Sequence, residues 1–183
     1  MKKSILSIAV AATLSSTAFA QMHINHKGVG EALVYPLYST QNGNDTYIHV
    51  VNTTENAKAV KVRILEAENS NEVIDFNLYL SREDHFAFAI TATEDGGAEL
   101  RTVDNSCTVP AIPDDDKDGV KSVAFRNLKY AGDTGNNDIS RTQIGHVEII
   151  EMGQIAFSTA ATSVYAATTH DQNGVPGNCA AHT

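Results

Sequence analysis

The sequence predicts an all-β fold: an antiparallel, immunoglobulin-like β-sandwich with a long acidic loop. Three observations lead there. Apolar residues recur at every second position in several short segments. Clusters of Asn, Gly, Ser and Asp separate those segments at intervals of about ten residues, the spacing of turns between strands. The chain also opens on an export signal and holds two cysteines, the pattern of an exported domain clipped by one disulfide.

Residues 1–20 carry the signal. Lys2 and Lys3 precede an apolar run over 5–14, and Ala18-Phe19-Ala20 supplies the small-x-small ending that places cleavage after Ala20. Residues 21–30 read as a flexible leader, and 31–183 as a single sandwich domain. The run 31–38 (EALVYPLY) contains Pro36, which cannot donate to a ladder, so it is an edge strand or a kinked one. Gln41 to Asp45 is turn chemistry. In 46–52 (TYIHVVN), Ile48 and Val50 face one way and Tyr47, His49 and Val51 the other.

Segment 58–66 (KAVKVRILE) sets Val60, Val62 and Ile64 against Lys61 and Arg63, a period of two that excludes an amphipathic helix. After a turn at 68–71, segment 72–80 alternates Val73, Asp75, Asn77 and Tyr79 against Ile74, Phe76, Leu78 and Leu80. Segment 85–90 places Phe86, Phe88 and Ile90 on one face. From about 91 to 140 the texture becomes polar, with Gly96-Gly97, two prolines and the acidic string 114–118, and reads as a long loop excursion. Strand character returns at 145–152 (GHVEIIEM). Segment 155–169 is Ala/Thr-rich and suits strand or helix, and 173–179 is a turn ending at Cys179.

Cys107 and Cys179 are expected to pair, since an even count in an oxidising compartment favours a bridge. Closing so long a loop contributes about 4 kcal/mol by the loop-entropy argument. Against 13 basic residues stand 22 acidic ones, a formal charge of -9. Nucleic acid is excluded as a partner, because that affinity comes from Lys and Arg on phosphates. No apolar stretch beyond the first twenty residues is long enough to cross a bilayer.

The motifs Val51-Asn52-Thr53-Thr54, 58–63 (KAVKVR), 75–81 (DFNLYLS), 105–110 (NSCTVP) and 148–153 (EIIEMG) resemble a group of uncharacterised exported proteins of Gram-negative bacteria. The resemblance spans nearly the whole mature chain. Arg82 departs from it, standing where members often carry Pro, and members continue beyond the second Cys, as if this were a short relative or an N-terminal portion. The resemblance implies export and assigns no catalytic residue.

Catalytic motifs are missing: the sequence has no GxSxG, no HExxH and no phosphate-binding glycine loop. Asp84-His85 with nearby serines is triad material in principle, of a kind any exported protein offers. Glu148 and Glu151 fall on opposite faces of a strand. The sharpest local signal is Asp114-Asp115-Asp116-Lys117-Asp118-Gly119, which places Asp114, Asp116 and Asp118 at positions 1, 3 and 5 of a calcium loop, Gly119 at 6 and the Val120 carbonyl at 7. Position 12 is Phe125 rather than Glu, so an EF-hand is excluded; Asp104 or Asp133 would have to complete the site, with extracellular-type affinity of about 10⁻⁴ to 10⁻³ M. Cleavage after Ala20 would also put His23 third, an amine–amide–imidazole set suited to copper. The expected function is an exported, non-enzymatic structural or adhesion module that binds cell-surface components or its own copies through loops or a sheet edge. The alternatives are a periplasmic calcium or copper module, and a hydrolase with a dispersed site.

Overall fold

The computed structural model describes residues 24–130, 132 and 134–182. The expected signal, the first residues of the leader and His23 lie outside the described residues. Among the described residues nine strands form two antiparallel sheets: β1 (Ala32–Ser39), β2 (Thr46–Val51), β3 (Ala57–Glu66), β4 (Glu72–Leu80), β5 (His85–Ala92), β6 (Ala98–Thr102), β7 (Cys107–Val109), β8 (Lys121–Ala124) and β9 (Ile144–Ile155). The first sheet runs β1-β9-β3-β4-β7 and the second β2-β5-β6-β8. The last strand thus lies between the first and the third. One short helix, α1 (Val164–Thr168), starts from the Ser163 side chain, which accepts the Ala166 N–H at 3.1 Å.

Period-two patterning built the core as expected. Val60, Val62, Ile64, Phe76, Leu78 and Leu80 from the first sheet face Ile48, Val50, Phe86, Phe88, Ile90 and Leu100 from the second, all buried. Each such side chain contributes roughly 1.5–3 kcal/mol of transfer free energy. Pro36 sits where foreseen: β1 is an edge strand, and its register with β9 shifts between Tyr35 and Tyr38. Beyond it, Gly145 lets β9 approach, because a Cβ there would lie 2.0 Å from the Leu65 carbonyl oxygen.

Two expectations change. Val73, assigned by alternation to the face opposite Phe76, is buried with it. The β3–β4 register jumps from Ile64↔Ile74 to Leu65↔Glu72, so Val73 is an extra, bulged residue that turns inward. The 91–140 excursion also holds three strands. Within β6, Ala98, Leu100 and Thr102 are buried while Glu99 and Arg101 face out, an alternation too short and too poor in large apolar residues to stand out in the sequence. Segment 156–163 takes neither strand nor helix, and α1 follows it.

Candidate functional site

The acidic string is held by its own backbone. Gly119 N–H donates to Asp114 Oδ2 at 3.2 Å and Val120 N–H to Asp118 Oδ1 at 2.8 Å, with Lys117 and Gly119 at φ +56° and +86°. Asp116 is exposed. Asp104 accepts from the N–H and hydroxyl of Ser106, at 2.9 and 2.7 Å, and so caps its own turn. Asp133 is outside the described residues. Among the described residues no three His, Cys, Asp or Glu side chains gather into a metal-holding set. The expected ligands share one loop without converging.

Cys107 and Cys179 are bonded, Sγ to Sγ at 2.07 Å, and fasten the C-terminal segment to β7. The same segment is held by His182 stacked on Tyr79, ring centres 4.0 Å apart, and by His170. Ser81 Oγ lies 3.1 Å from His170 Nδ1, and Asp84 Oδ2 lies 3.3 Å from the same nitrogen. An acyl-transfer triad needs serine at one ring nitrogen and carboxylate at the other. Here both meet one atom, and Asp84 also accepts the N–H groups of Ser81 and His85, so the cluster is a junction between the 81–84 turn and the C-terminal segment. The His85 ring, the triad candidate beside Asp84, lies instead against His49 on the outer face of the second sheet.

A buried ion pair organises the far end. Glu66 is wholly buried and accepts N–H bonds from Glu68, Asn69 and Asn71 at 2.7 to 3.1 Å. Arg141, also buried, reaches Glu66 Oε1 at 3.0 Å and Glu68 Oε2 at 3.0 Å, and its guanidinium lies 4.0 Å from the centre of the Tyr130 ring. Burial alone would raise the Glu66 pKa; the hydrogen bonds from Arg141 and the three amides outweigh it and hold the carboxyl below its ordinary value.

The sandwich is open along both long sides. Between β1 and β2 a cleft of about 480 Å³ is crossed by Lys58 and Glu151, Nζ to Oε2 2.5 Å, both largely buried. Glu151 reaches it by the alternation that also turns Val147 and Ile149 inward, and Glu148 on the other face pairs with Arg63, as alternation required. Between β4 and β8 a groove of about 490 Å³ is lined by Ile74, Phe76, Ile112, Val123 and Leu128. Strand β7 pairs only with residues 77–79, so among the described residues no strand covers 72–76 on that side; one backbone bond, Arg126 N–H to the Val73 carbonyl at 3.0 Å, crosses there. The Arg126 side chain is exposed, and among the described residues it forms no ion pair.

Sequence reasoning singled out the acidic string and passed over Glu66, Arg126 and His170. Glu66 was within reach: counting by two from Val60, Val62 and Ile64 lands on it, so the core face of β3 ends on an acid. Arg126 and His170 gain their meaning from strands far off in the sequence. Comparison with family models, with curated proteins and with solved structures found no match.

Proposed function

We propose that this chain is an exported, non-enzymatic binding module of the cell surface or extracellular space, engaging an extended segment of a neighbour at a sheet edge. The observation that carries this reading is the open half of β4. An extended segment laid along 74–76, between β7 and the bond from Arg126 N–H to the Val73 carbonyl, would continue the ladder, set alternate side chains on Ile74, Val123 and Leu128, and bring an acidic group to Arg126. The neighbour is another copy of the chain or a cell-surface component. Export is supported by the signal pattern over 1–20 and by the disulfide, and among the described residues no helix is long and apolar enough to cross a membrane. The Ser81–His170–Asp84 cluster, whose serine and carboxylate meet one nitrogen, lacks the geometry of an acyl-transfer triad.

Leu128→Glu tests the reading, since that side chain is 75% exposed and its replacement leaves the core intact. In the native cells the wild type is expected in surface-bound or assembled fractions and the variant as a released monomer. Wild type and variant both behaving as free periplasmic monomers would remove the proposal.

A further inference from the structure

We propose that His49 and His85 form a transition-metal site on the outer face of the second sheet. The two residues stand on adjacent strands. Pairing of Val51 with His85 and of His49 with Ala87 puts both imidazoles on one face, at a cross-strand diagonal. Their ring centres are 5.2 Å apart. Two imidazoles sharing a tetrahedral ion, each nitrogen about 2.0–2.1 Å from it, hold their ring centres about 5 Å apart. The rings are inclined at 81°, and rotation about the soft χ2 bonds turns a nitrogen of each toward the common point with the backbone fixed.

The surroundings favour a ligand there. Both side chains are exposed, and among the described residues neither ring has a hydrogen-bond or ion-pair partner. Ala87, directly opposite His49, lines with it a shallow hollow on this face whose far side is formed by Arg101. The backbone beneath is fixed, because β2 pairs with β5 without a break in register and the reverse faces bury Ile48, Val50, Phe86 and Phe88 in the core. The donors select the class of ion. Asp84, next to His85 in the sequence, is committed to Ser81 N–H, His85 N–H and His170, and among the described residues no carboxylate joins the two imidazoles in a set of three, so the donors of the site are imidazole nitrogens. That suits zinc, copper(II) or nickel(II) and not calcium. Two protein ligands leave the remaining positions to water. The site is separate from the acidic loop and from His23, and it does not rest on the edge-binding reading.

Zinc chloride titrated into the full mature chain, followed by calorimetry and by ¹H–¹⁵N spectra of the imidazoles, tests the proposal. One site is expected, with the His49 and His85 signals shifting together. His49→Gln and His85→Gln should each weaken binding about tenfold or more, because each removes a chelating partner held at high effective concentration. His146→Gln, on the opposite sheet, should leave it unchanged. Both positions are exposed, so an unchanged thermal midpoint verifies that the variants are folded. Zinc that shifts other imidazoles, or a smaller loss of affinity in either variant, overturns the assignment.

Discussion

The turn after β3 and the loop before β8 are both acidic, and they behave in opposite ways. The first has one key carboxylate, Glu66, wholly buried, met by three backbone amides and by Arg141. The second has four aspartates within five residues, three of them exposed, and its hydrogen bonds come from amides of the same loop. A buried charge must find partners or destabilise the fold, whereas an exposed one is already served by water. The contrast teaches that burial, not the number of acids, makes a carboxylate structural.

The strongest way to break the contrast is Glu66→Ala. It removes the acceptor for three N–H groups and takes from the buried Arg141 its fully buried carboxylate partner, leaving Glu68, the Asn136 carbonyl and the Tyr130 ring among its contacts. Removing one partner of a buried pair costs about 3–5 kcal/mol. Urea unfolding should therefore show a midpoint well below wild type at unchanged slope; an unchanged midpoint would show that Glu66 is not structural.

Arg141→Lys sharpens the same point with a smaller effect. Lysine keeps the charge and loses both the planar fork that reaches Glu66 and Glu68 and the stacking over Tyr130. The expected loss is about 1–2 kcal/mol. A variant as stable as wild type would mean that charge alone holds the turn.

The third effect is read against pH. Glu66 titrates in the native state below its ordinary 4.5, as does Asp75 beside Lys61 below its ordinary 3.8. A carboxylate depressed by folding contributes stability that is present above the unfolded value and lost as pH falls through the native one. Stability should therefore hold from neutrality down to about pH 5 and decline below it. Glu66→Gln should flatten that decline. Equal acid slopes in wild type and variant would exclude Glu66 as a source of it.

These two regions also mark how far the sequence was legible. Strands β2, β3, β4 and β5 announced themselves by alternation, because one face, rich in large apolar residues, had to be withdrawn from water. Strand β6 was hidden, since Leu100 is its one large core residue, and Val73 was misplaced because a bulge is a tertiary event between β3 and β4. The disulfide was legible from cysteine count and export together. The sites were less so: the aspartate string is conspicuous as text, yet among the described residues its carboxylates gather into no set of three potential ligands, while Glu66 depends on Arg141, 75 residues away, and His49 on His85 across a strand pair.

The smallest effect separates a solvated loop from a calcium site. Asp114→Asn, Asp116→Asn and Asp118→Asn together should change stability by no more than about 0.5 kcal/mol, as surface substitutions do. If the loop did close on calcium with a dissociation constant of about 1 mM, 10 mM calcium would stabilise the wild type by about 1.4 kcal/mol. In a domain of this size that is a rise of several degrees in thermal midpoint, absent from the triple variant. Asp114 and Asp118 each give one oxygen to Gly119 and Val120 and keep the other, but among the described residues no three potential ligands gather, so the expected shift is near zero. A calcium-dependent rise confined to the wild type would show that the loop rearranges around the ion, and the contrast with Glu66 would become one between a permanent partner and a recruited one.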